Sequence, residues 1–276
     1  MSDWEGEHRR RSAPRGCIAA VAIPSALVIA AIIYIVAVHG GATERVGREV
    51  AALRAAGKPV TAAEAVPPPV AAADNAAPLY LQAFAAVPKR SPDPYSETDW
   101  DNAASVAVLE QCLRKDTAMQ ERLNAATRLP GCRFAAGPQY GLSTSHPEYA
   151  QMRELARVCM SAAFLSTLQS DTEAGAEWVR RGLVLSRHVS HEGEAIACLV
   201  AFSTDAMALK AAERVVAAGP VPLASARRVS AELQAVDYMA ACAAGFADER
   251  ARVLDLYESV RLNPASNPLA SSGAPA

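Results

Sequence analysis

The densest run of chemically capable side chains is HVSHEGE, which places His188, His191, Glu192 and Glu194 within one short stretch. Two imidazoles three residues apart share a helix face, and with a carboxylate beside them they are raw material for a divalent-cation site. The run is not H-E-x-x-H, however, and Gly193 interrupts it. Its plainer reading is electrostatic. His188 near the end of one helix, and Glu192 and Glu194 near the start of the next, each complement a helix dipole. A second cluster, Asp93, Asp99, Asp101 and Asn102, carries oxygen ligands of the kind calcium takes. It lacks the D-x-D-x-D-G order and distal glutamate of an EF-hand loop, and these residues suit turn and N-cap positions. Ser143, Ser145 and His146 offer hydroxyls and a base, but close sequence neighbours seldom converge as nucleophile and base, and the approach to Pro147 reads as a helix entry. Trp100, Tyr140 and Trp178 read as core or groove residues. There is no G-x-S-x-G, phosphate-cradling glycine loop, dinucleotide fingerprint or C-x-x-C. The residues therefore assign no catalytic group, no cofactor ligand and no metal ligand.

One carboxylate stands out for a structural reason. Met239, Cys242, Phe246, Glu249, Val253, Leu256 and Val260 recur at three- and four-residue steps, the spacing of a helix seam packed on its neighbours. A glutamate on a buried seam needs a partner. Glu249 is thus the candidate structural acid, with Arg252 one turn on, or Arg180, Arg181, Arg227 or Arg228 from neighbouring helices, as its cation. Cys159, Cys198 and Cys242 lie among apolar neighbours and read as core packing. Cys112 and Cys132 lie in more polar sequence; in an oxidising compartment Cys132 would pair with Cys112 or with Cys159.

The elements that must position these residues are helical. Alanine is abundant, aromatics are 5%, and no stretch alternates with period two over a useful length. A short amphipathic helix spans 43–56, and 58–73, with three consecutive prolines, reads as a semi-rigid spacer. Asp74 caps a helix reaching about Val87, 88–96 is a proline-rich loop, and 97–127 is one long helical stretch. The segment 129–147 carries three glycines and three prolines and reads as an irregular excursion. Helices follow at 148–170, 173–188, from about Gly193 to Ala218, at 225–236 and at 238–262. Short connections imply antiparallel hairpins in a bundle or short solenoid. The pair 148–170 and 173–188 looks like one tetratricopeptide-type hairpin, without a 34-residue period to continue it.

Cys17 to Val38 is an uncharged apolar run preceded by Arg9, Arg10, Arg11 and Arg15. A helix of that length rises about 33 Å, enough to cross a bilayer. It is longer than the apolar core of a signal peptide, so it reads as an anchor rather than a cleaved leader. The arginine excess keeps the N-terminus in the cytoplasm and sends the rest across. The expected organisation is a basic tail (1–16), a transmembrane helix (17–38), a juxtamembrane helix and spacer (39–73), an extracytoplasmic helical domain (74–262) and a disordered tail (263–276). The net charge of −2 and the absence of a basic patch with interleaved aromatics argue against a nucleic-acid partner.

LRAAGKPVT at 53–61, DNAAPLYLQAF at 74–84, LPGCRF at 129–134 and FADERA at 246–251, in that order, resemble an uncharacterised bacterial family of membrane-anchored, helix-rich proteins. That resemblance implies the topology and the helical fold, and no site residues. Together these readings predict an all-α, single-pass protein of the inner membrane. Its expected partners are the lipid bilayer, through 17–38, and an envelope protein or peptide. It acts as a non-catalytic binding or scaffold module; the alternative is an envelope enzyme with a site around 129–147, since long ordered loops are often functional.

Overall fold

The computed structural model describes residues 41–87, 93–134 and 146–262. The sequence-assigned span 17–38, its basic flank, the tail 263–276, and Tyr140, Ser143 and Ser145 lie outside them. The described residues are all-helical, 77% helix with no strands. The described residues up to Lys58 belong to one unit, helical over 41–55 (α1), and those from Pro59 onward belong to another.

The second unit opens with α2 (Ala62–Ala65), a single turn held by a capping box: the Thr61 side chain accepts from the Glu64 N–H, and the Glu64 carboxylate reaches back to the Thr61 N–H. The spacer reading of 58–73 needs correction. Val60 is buried, α2 packs on the last helix, Pro67 lies against Gly193, and Val70 lies against Gly131. The prolines make the segment stiff, and it runs along the unit instead of standing off from it. At Gly193, φ is +81°, and a Cβ would fall 2.4 Å from the Pro67 ring, so this turn admits glycine alone.

α3 (Ala77–Ala86) begins later than the sequence implied. Asn75, not Asp74, holds its start, its carboxamide oxygen accepting from the Ala77 N–H. A short helix, α4 (Pro94–Glu97), stands at the end of the expected 88–96 loop, and the expected long helix over 97–127 is two helices, α5 (Ala103–Lys115) and α6 (Thr117–Ala126). Asp93 caps α4 and Asn102 caps α5, which accounts for the members of the acidic cluster nearest those helices. The break between α5 and α6 falls at Asp116, which is buried and accepts a hydrogen bond from the Tyr95 hydroxyl.

α7 (Pro147–Leu168), α8 (Thr172–Ser190) and α9 (Ala195–Ala218) are joined by short turns, and each packs against the other two. Gly182 lets α8 approach Cys159 of α7 and Ala208 of α9. The main core runs from Tyr80 and Leu109 through Met119, Leu123, Met152 and Leu155 to Leu185 and Val189. A second core collects Phe164, Val179, Leu183, Ala208 and Val215. α10 (Leu223–Gln234) lies on α8, with Arg187 paired to Glu232 at 3.1 Å. α11 (Tyr238–Leu262) packs on α9 and α2.

α9 is the one helix among the described residues long and apolar enough to cross a membrane, with a window of mean hydropathy 1.5. In this fold 39% of that window is buried: Ala197, Cys198, Ala201, Thr204 and Ala208 face inward, while Leu199, Phe202 and Leu209 are exposed.

α11 corrects two readings. Its predicted seam is not the buried face: Met239 is 80% exposed and Phe246 71%. The buried positions are Gly245, Asp248 and Ala251, one residue round. Gly245 sits where a Cβ would meet the backbone of Ala195 at 2.8 Å, so the helices touch through their smallest residues. Cys198 and Cys242, read from sequence as core thiols, form a disulfide joining α9 to α11 across 5.8 Å between Cα atoms. Cys112, Cys132 and Cys159 are free. Burial pushes the Cys132 and Cys159 thiols up, Cys159 to about 12, so both are inert at neutral pH.

Candidate functional site

The run HVSHEGE does not form a cluster. Its members point three ways. His188 is fully buried; its Nδ1 lies 2.8 Å from the Tyr80 hydroxyl and its Nε2 3.1 Å from the carbonyl of Leu129. A carbonyl can only accept, so Nε2 carries the hydrogen and Nδ1 accepts from Tyr80. Burial first, then the nearby Arg187 charge, lowers the His188 pKa to about 3, and the ring is neutral.

Glu192 is buried against Arg133, 3.2 Å from its guanidinium, and also accepts from the Phe134 N–H. Arg133 donates as well to the carbonyls of His191 and Glu192. Burial raises the Glu192 pKa to about 7 against the opposing pull of Arg133. Asn75 completes this junction, accepting from the Arg133 N–H and donating to its carbonyl. Asn75, Tyr80, Leu129 and Arg133 belong to the two motifs DNAAPLY and LPGCRF. These motifs therefore meet at the α8–α9 turn and fasten the two ends of a polar, water-excluded junction.

Glu194 turns the third way, into a cleft of about 400 Å³ between the first turns of α7, the start of α9 and the middle of α11. α7 contributes His146, Tyr149, Ala150 and Arg153, which share one face; α9 contributes Glu194, Ile196 and Val200; α11 contributes Asp248, Glu249 and Arg252. Glu194 is the hub. It accepts from the Tyr149 hydroxyl at 2.9 Å, lies 3.3 Å from His146 Nε2, and is paired with Arg252 at 3.3 Å. Arg252 is held at its other end by Asp248, 2.7 Å away. Burial opposes the Arg252 charge, but Asp248, Glu194 and Glu249 outweigh it and push its pKa up. Burial and the Glu194 carboxylate raise the Tyr149 pKa, so the phenol stays protonated and donates. His146 stacks on Tyr149, and its Nδ1 faces Glu148 at 3.3 Å.

Glu249, the structural acid expected from sequence, lies on this cleft and is half-buried; the buried acid is its neighbour Asp248, 2% exposed. Arg252 is the cation expected for it, but its contact is with Asp248. Arg180 and Arg181 pair instead with Glu177, and Arg228 with the Ser225 hydroxyl. Trp100 packs edge-on to Phe164, and Trp178 lies beneath the Arg181 guanidinium. The cleft was not read from sequence because its three contributors stand far apart in the chain. The available hints were the Asp248–Arg252 spacing, one helical turn, and the His146, Tyr149, Arg153 face. Among the described residues no group of three or more His, Cys, Asp or Glu side chains is arranged to hold a metal ion. Comparison with family models, curated proteins and solved structures gives no match.

Proposed function

We propose that the chain is a non-catalytic binding module of the cell envelope. In this reading 17–38 anchors it in the cytoplasmic membrane, the helical unit lies outside, and the cleft around Glu194 holds an envelope peptide or protein. The arginine flank supports the orientation, and the Cys198–Cys242 disulfide suits an oxidising compartment. The mutual packing of α7, α8 and α9 supports a stack of antiparallel hairpins.

The observation that carries the binding role is the state of the cleft floor. Glu194 and Asp248 share Arg252 as their cation, and Tyr149 and His146 make further contacts to Glu194. A general acid must hold a proton it can give, and a general base must have a lone pair aimed at substrate. Ion pairs and hydrogen bonds already engage these carboxylates, and such a pre-paired polar floor suits recognition. The enzyme alternative near 129–147 draws on one feature, that His146 closes that excursion and is oriented by two carboxylates.

The test is site-specific photo-crosslinking of the full-length protein in its native membranes. A crosslinker replacing Ile196, on the cleft wall, should trap a defined adduct identified by mass. One replacing Leu223, exposed on α10, should not. Equal labelling from both positions, or none from Ile196, would overturn the reading.

A further inference from the structure

Within the cleft, two charges differ from the rest. Arg153, exposed on α7, and Glu249, half-buried on α11, make no hydrogen bond or ion pair with another described residue. The charges beneath them are consumed in the Glu194–Arg252–Asp248 chain. One wall of the cleft thus offers a cation and another an anion, while Ala150, Ile196 and Val200 add apolar surface to its lining. Resting on the binding role above, we infer that the cleft takes a small zwitterion of the short-peptide class, its carboxylate on Arg153, its ammonium on Glu249, and its side chains on Ile196 and Val200.

Charge pattern and size both select this class. A simple anion would face Glu249, and a simple cation would face Arg153; a ligand with both charges satisfies each. A volume of about 400 Å³ accommodates two or three residues and excludes a folded domain. The guanidinium fork suits a carboxylate in bidentate geometry, and a carboxylate accepts all that an ammonium donates.

The experiment is calorimetric titration of the full-length protein in detergent with L-alanyl-L-leucine, its N-acetylated form and its C-terminal amide. The free dipeptide should bind, and each blocked form should bind about tenfold more weakly, the loss expected for one charged hydrogen-bonded contact. Arg153→Ala should abolish the preference for free acid over amide and leave the amine preference intact. Glu249→Ala should do the converse. Both positions lack partners, so the variants should keep the wild-type melting temperature. Equal binding of all three ligands, no binding of any, or a discrimination that survives both substitutions would overturn the inference. An Ile196 adduct obtained alongside a failed titration would sink the zwitterion and leave the binding role standing.

Discussion

The Tyr80 hydroxyl donates to Nδ1 of His188 at 2.8 Å, and neither residue is exposed to solvent. The pair ties α3 to α8, and the second ring nitrogen ties α8 to the Leu129 carbonyl. Three segments remote in sequence thereby depend on one imidazole remaining neutral.

That dependence sets a pH response. The folded His188 pKa, about 3, lies below its ordinary 6.5, so the unfolded chain binds the proton first. The stability this group confers is complete above pH 6.5 and is lost as pH falls toward 3, a difference of about 5 kcal/mol. His188→Gln keeps an acceptor for Tyr80 and a donor for Leu129 but does not titrate. Chemical denaturation across pH should show the variant losing less stability than wild type between pH 6.5 and 3. Parallel profiles would refute the buried neutral histidine.

Glu192 works in the opposite sense. Its folded pKa is raised from 4.5 to about 7, so the native state binds the proton first. Its contribution is greatest below pH 4.5 and is lost as pH rises through 7, a change of about 3 kcal/mol. Between pH 6.5 and 4.5 the two groups offset each other, and wild-type stability should be flat there as far as they are concerned. Glu192→Gln removes the offset. The variant should be more acid-sensitive than wild type over that interval, and an unchanged slope would contradict the assignment.

The Cys198–Cys242 bridge closes a loop with a sequence separation of 44. The chain-entropy account places its contribution near 4 kcal/mol. A thiol reductant should lower the melting temperature of the wild type and leave Cys198→Ala unaffected. Equal melting with and without reductant would show that the bridge does not form.

α11 provides the sharpest test of side-chain placement. Asp248→Ala strips Arg252 of its closest partner in a buried setting and should cost about 3 kcal/mol. Glu249→Ala should cost less than about 0.5 kcal/mol. The reverse ranking in equilibrium unfolding would restore the seam through Glu249.

Much of the fold was legible because helix punctuation is local. Pro147, Asp171, Gly193 and the Gly219-Pro220 pair mark the ends of α7, α8 and α9 within a residue or two. The orientation of α11 was not legible because its close approach to α9 is made at Gly245, which barely registers as hydrophobic, while Met239 and Phe246 stay outside. The large residues made a convincing stripe on the wrong face. The disulfide escaped for a related reason: an apolar neighbourhood looks the same around a core thiol and a bridged one. The cleft depends on three helix segments meeting, and nothing local to His146, Glu194 or Arg252 announces the others.

Binding and catalysis separate most directly in the covalent state of the molecule the cleft captures. The adduct formed through the crosslinker at Ile196 identifies that molecule. The same molecule, incubated uncrosslinked with the full-length protein and weighed by mass spectrometry, should be recovered unchanged. A cleaved or transferred product that forms with the wild type and disappears with Glu194→Gln would contradict the account.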